Sequence, residues 1–149
     1  MKTHRIHFAV AVAISMLLAV TGEIHVYSQE RMGDKDVEKM LNNLKSDAKK
    51  FKSAFNSGVE KSTIRNTSKE KEAKNLVETF GKQSEAALDK FKKDQKCDPE
   101  ISSLISSGTQ INQLLESTPM GDQTNAAWST VKTELSDVAK QFFKEFPAK

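Results

Sequence analysis

Apolar residues recur along this 149-residue chain at intervals of three and four, in four separate stretches. The first runs Val37, Leu41, Leu44, Ala48, Phe51, Phe55 and Gly58, with Lys, Asp and Glu filling the other positions. That spacing keeps the apolar side chains on one face of a helix. Asp34 or Asp36 is placed to cap its start, and the stripe ends near Gly58-Val59. Glu60 to Asn66 reads as a loop. Thr67 followed three residues later by Glu70 has the pattern of a capping box, hydroxyl and carboxylate each satisfying an orphan backbone N–H. A second stripe follows as Ala73, Val77, Phe80, Ser84, Ala87 and Phe91, flanked by Leu76 and Leu88. Glu70–Lys74, Glu78–Lys82 and Asp89–Lys93 are favourable pairs one turn apart on its outer surface.

Asp98-Pro99-Glu100 predicts a third helix start. Asp caps, Pro occupies the first position where its missing N–H costs nothing, and Glu faces the positive end of the helix dipole. This helix carries Ile101, Leu104, Ile105, Gly108, Ile111, Leu114 and Leu115 and stops near Ser117, before Pro119. Met120-Gly121-Asp122 restarts the chain into a fourth, with Trp128, Val131, Leu135, Val138, Phe142 and Phe146 on one face. Four amphipathic helices on short links predict an all-α fold, an antiparallel up-and-down four-helix bundle. The same heptad-like spacing serves a coiled coil within one chain or between two, so self-association stays open.

The chain ahead of these helices has another pattern. Lys2 and Arg5 precede an uncharged run of 13 residues, Phe8 to Val20. As a helix this run covers roughly 20 Å at ~1.5 Å per residue, short of the ~30 Å core of a bilayer. The expectation is a cleaved signal peptide, residues 1–28, rather than a permanent anchor. Small residues permit cleavage after Ser28, with Gly22 as the alternative. The product, residues 29–149, is then periplasmic or secreted.

Export changes the chemical inventory. All three His, at 4, 7 and 25, and the sole Tyr, Tyr27, lie in the removed segment, and the net charge falls from +3 to +2. A nearly balanced protein is no polycation, so no nucleic-acid partner is expected. Without His, neither a Ser-His-Asp nor a Cys-His arrangement is available, nor a His-ligated metal. One Cys, Cys97, makes no internal disulfide and no cysteine-clustered metal site; a partly buried bystander thiol is the expectation, with an intermolecular disulfide as the alternative. No Gly-rich phosphate loop appears. Carboxylates remain, but Glu134 and Asp137 read as a solvated helix face beside the core. No catalytic, cofactor-binding or metal residue is therefore assigned, and no enzyme is expected.

The Phe residues and Trp128 fit a packed core better than a ligand cavity, and the Lys45, Lys49, Lys50 and Lys52 cluster fits a solvated surface. Asn66-Thr67-Ser68 matches a glycosylation sequon, set aside because a helix cap accounts for Thr67. Charge divides unevenly. Residues 34–96 hold 16 basic against 11 acidic residues, and residues 97–149 hold 4 against 7. Such a division reads either as a basic first helix pair packing beside an acidic second one or as a basic face offered to an anionic envelope surface.

Four blocks span most of residues 36–142: Val37-x-x-x-Leu41-x-x-Leu44 running to Phe51; Thr67-x-x-Glu70 leading to Val77-x-x-Phe80; Gly108-x-x-Ile111-Asn112-x-x-Leu115; and Trp128-x-x-Val131-x-x-x-Leu135-x-x-Val138-Ala139-x-x-Phe142. Together with the export segment they resemble a family of small exported bacterial four-helix proteins of unknown function. Gly81, Ala87 and Phe142 depart from that pattern, where an acidic residue, a larger apolar one and Tyr are usual. The resemblance implies an exported bundle and carries over no activity and no binding residue. The expected role is a protein-binding or chaperone-like envelope module acting through its surface. The alternative is peripheral attachment to a membrane by the Lys-flanked apolar faces.

Overall fold

The computed structural model describes residues 32–143; the segment read as a signal peptide and Phe146 lie outside it. Four helices make up the described chain, α1 (Asp34–Val59), α2 (Ser68–Asp94), α3 (Asp98–Ser117) and α4 (Asp122–Phe142). Each periodic stretch forms one of them. Every residue of the first stripe is buried, and so is every residue of the second. In the other two, Ile101, Leu104, Gly108 and Ile111 face Trp128, Val131, Leu135 and Val138 in the same core, with Ile105, Leu114, Leu115 and Phe142 half-buried at its edge.

Each helix packs on two others: α1 on α2 and α4, and α3 on α2 and α4. The backbones approach most along α1–α4 and least along α3–α4. Trp128 ties the four together. Its ring lies 5.0 Å from that of Phe51 on α1 and 5.8 Å from that of Phe80 on α2. Its far edge stands against Gly108 on α3. Tilted and edge-on geometries of this kind each contribute about 0.5–1.5 kcal/mol beyond area burial.

A ladder of ion pairs runs along the outside of α1 and α2. Lys92 reaches Glu38 at 3.4 Å, Lys45 and Lys49 reach Glu85 at 3.7 and 2.9 Å, Lys52 pairs with Glu78, and Lys74 reaches Glu60 at 3.8 Å. The lysine cluster is thus surface, and its hydrogen bonds hold the Glu78 and Glu85 carboxyls below their usual range. Of the expected pairs within α2, Glu70–Lys74 and Glu78–Lys82 form, whereas Lys90–Asp94 forms in place of Asp89–Lys93. Among the described residues no ion pair joins α1 or α2 to α3 or α4. The uneven charge division is spent within the first helix pair, and apolar packing joins it to the second.

Thr67 holds the N-cap position of α2, α1 ends at Val59 and α3 at Ser117, as the sequence predicts, whereas the starts of α1 and α3 differ from expectation. Gly33, not Asp34 or Asp36, sits at the α1 N-cap; its carbonyl takes the N–H groups of Asp36 and Val37, leaving the two Asp in the first turn where the dipole favours them. Cys97, not Asp98, is the cap position of α3, and Ile101 N–H donates to its carbonyl at 2.9 Å. The capping box does not close. Glu70 accepts from the backbone N–H of Asn66 at 2.5 Å, while the Thr67 hydroxyl donates back to the carbonyl of Ile64. Asn66 takes a left-handed φ of 61° here, and the Thr67 N–H is already given to the Ile64 carbonyl at 3.1 Å, so it is not open to Glu70.

Candidate functional site

Where α3 and α4 diverge, a groove of about 650 Å³ opens between them. Its floor is apolar, formed by Ile105, Gly108, Leu135 and the edge of Trp128. The spacing that buried these residues also leaves the next positions along both helices facing each other across the gap. Thr109, Asn112, Gln113 and Glu116 rise from α3, and Lys132, Thr133, Ser136, Asp137 and Lys140 from α4.

A relay of hydrogen bonds crosses one end. The Trp128 Nε1–H donates to Asn112 Oδ1 at 3.3 Å, and the Asn112 amide donates to Glu116 Oε1 at 2.6 Å. This fixes the indole, which is 5% exposed, and uses one acceptor of Glu116. At the other end Lys140 donates to Asp137 at 2.8 Å. The hydroxyls of Thr109 and Thr133 donate to carbonyls of their own helices at 3.0 Å each. The lining therefore offers an apolar floor, an amide and a cation, with its hydroxyl protons largely committed. That is the chemistry of contact and orientation, and it follows the general form of binding sites, apolar with a few placed polar groups.

No family model, curated protein or solved structure matches the chain.

Three further positions bear on the sequence reading. Cys97 is 1% exposed, and burial, followed by the charges of Glu100 and Asp98, pushes its thiol up to about 12. A thiol held protonated and enclosed is a poor nucleophile. Asn66 and Thr67 are both exposed in the loop, and Thr67 forms no cap bond, so the ground for setting the sequon aside does not hold. Glu134 is the largest departure. The sequence predicts a solvated face for it, yet it is only partly exposed, and its Oε2 is sheltered with no hydrogen-bond partner among the described residues.

Burial and the Asp47 carboxylate facing it from α1 push the Glu134 carboxyl up to about 7, against the pull of Lys50 and with a smaller push from Asp137. Protonated, Glu134 has a hydrogen to donate to Asp47; ionised, the two carboxylates repel. The native state thus holds a proton that the unfolded chain releases near the ordinary value of 4.5. The contribution is complete below about 4.5 and is lost as pH rises toward 7. After discounting for solvent screening it is on the order of 1–2 kcal/mol. Urea unfolding across pH 5 to 8 should show Glu134→Gln gaining that much on the wild type as pH rises. A difference independent of pH would show that the Asp47–Glu134 contact does not govern the carboxyl.

Proposed function

We propose that the chain is an exported, non-catalytic helical module of the cell envelope that binds a protein partner, or shields an unfolded client, along the α3–α4 groove. The single observation that carries this reading is the groove itself, an apolar floor under a polar rim. Elsewhere among the described residues only Met32 is a large apolar side chain left exposed.

The topology we propose is the antiparallel up-and-down one. Residue pairings support it, because partners on α2 descend in number from Lys92 to Lys74 as those on α1 ascend from Glu38 to Glu60. Likewise Gly58 lies by Thr124 and Phe51 by Trp128. Kinship with the small exported four-helix family is part of the same proposal and rests on the four sequence blocks. No described helix is long and apolar enough to cross a membrane. Peripheral attachment would require the helices to part, because the stripes it would lay on lipid are buried against one another. Binding in the groove requires no opening, and this favours the first reading.

A photo-cross-linker placed at Thr133, on the groove, and at Ser57, on the exposed side of α1, tests it. With envelope extract or a heat-unfolded model client, the Thr133 position should cross-link and the Ser57 position should not. Equal yields from both positions would remove the groove as the site, and pelleting with anionic vesicles alone would favour the membrane surface instead.

A further inference from the structure

The outer face of α3 and α4 differs in composition from that of α1 and α2. Residues 34–96 hold 16 basic and 11 acidic side chains, but between Glu100 and Lys132 only Glu116 and Asp122 are charged. The exposed positions of that stretch, among them Ser102, Ser106, Thr109, Gln113 and Ser129, are otherwise uncharged. Depletion of charge marks the core of a protein–protein contact, because such groups cost less to strip of water. Two charges in the groove lack a counterion. Glu116 accepts only from the neutral amide of Asn112, and among the described residues neither it nor Lys132 is in an ion pair, whereas Asp137 and Lys140 hold each other at 2.8 Å. The Trp128–Asn112 hydrogen bond lies between the two. Glu116 comes one turn after Asn112 on α3, and Lys132 one turn after Trp128 on α4. With the two helices running in opposite directions, these turns lead to opposite ends of the groove. At ~1.5 Å per residue the two backbone positions stand about 12 Å apart along the bundle, and no ion pair joins them.

We infer that the α3–α4 face is the contact between two copies of this chain. A twofold axis crossing the groove at the level of the Trp128–Asn112 bond exchanges its two ends, so Lys132 of each copy meets Glu116 of the partner subunit. An isologous contact must be complementary to itself. A face with one unpaired charge of each sign, placed one turn to either side of a common point, meets that condition. A wholly acidic or wholly basic occupant would satisfy one of these charges and oppose the other. The aliphatic stems of the two long side chains cover the Ile105 and Leu135 floor while their heads pair across the axis. The size agrees. α3 and α4, of 20 and 21 residues, are each ~30 Å long and ~10 Å wide, so two copies cover roughly 1,200 Å² in total, the low end of specific contacts. A weak, reversible dimer follows. The inference rests on the binding role proposed for the groove and names its partner, with which a client would compete.

Sedimentation equilibrium of the mature protein, residues 29–149, from about 1 μM to 1 mM should show a monomer–dimer equilibrium, the range expected of so small an interface. Lys132→Glu and Glu116→Lys each replace two ion pairs at the axis by two like-charge contacts and should raise the dissociation constant at least about tenfold. The double exchange Lys132→Glu/Glu116→Lys restores both pairs with their signs swapped and should return to within about threefold of the wild type. An equimolar mixture of the two single variants should also associate, since one presents two carboxylates and the other two ammoniums. Both residues are exposed, and unchanged urea midpoints, taken where the wild type is monomeric, establish that the variants fold. A wild type that stays monomeric throughout overturns the twofold contact. So do single variants that dimerise as well as the wild type, or a double exchange no better than either. In each case cross-linking of a client at Thr133 would leave groove binding intact, and only its absence would remove that reading as well.

Discussion

Phe51→Ala is expected to destabilise the bundle by about 3–5 kcal/mol, the cost of emptying a buried aromatic site that cannot collapse. Phe51 is fully buried in the middle of α1. Its ring touches Trp128 at 5.0 Å and Phe55 at 5.8 Å, so its removal loses burial and two aromatic contacts together. The cavity would lie between helix backbones held apart by Trp128 and Phe80, which limits relaxation. Domains of this kind retain only about 5–15 kcal/mol in all, and the variant should lose a large share of that. Urea unfolding followed by circular dichroism and by Trp128 emission measures it, with a lowered midpoint and an unchanged slope expected. Phe142→Ala is the internal comparison. That ring is half-buried at the edge of the core, edge-on to Phe91 at 6.1 Å, so a cost under about 2 kcal/mol is expected. Equal losses at the two positions would mean that Phe51 is not at the centre of the core.

The helix faces were legible because a stripe is a local property. Val37, Leu41, Leu44, Ala48, Phe51 and Phe55 can be assigned to one side by spacing alone, and all are buried. What could not be read are features set by how two elements meet. Gly33 and Cys97 displaced the expected Asp caps because the first orphan N–H depends on where the preceding turn leaves the backbone. Glu134 looked like a surface residue from its place on α4; only the approach of α1 brings Asp47 against it. The groove has the same origin. Nothing in the stripes of α3 and α4 announces that these two helices diverge, and its lining residues are ordinary polar positions until a facing wall exists.

Glycines extend the argument to a case where two identical substitutions should have opposite signs. At Gly81 on α2 an added methyl meets nothing within 4 Å, so Gly81→Ala should stabilise by about 0.5–1 kcal/mol through helix propensity and a less flexible unfolded chain. Gly58 would gain the same benefit near the end of α1, but contact outweighs it there. A methyl at Gly58 would stand 2.5 Å from the backbone carbonyl oxygen of Met120 and 2.5 Å from Thr124 Oγ1. Neither atom has an easy retreat. The carbonyl belongs to the turn that starts α4, and the Thr124 hydroxyl is buried between the carbonyls of Ala54 and Met120, 3.1 Å from each. Making room separates α1 from α4 along their closest seam and breaks that hydrogen bond. Overpacking of about 1–3 kcal/mol plus roughly 1 kcal/mol for the lost bond exceeds the propensity gain. Gly58→Ala should thus destabilise by about 2 kcal/mol, and Gly58→Val by more, since its two branches meet the same carbonyl. Thermal and urea unfolding of the three variants side by side gives the answer. If Gly58→Ala proves as stabilising as Gly81→Ala, the close packing of α1 on the start of α4 is not a feature of the folded protein.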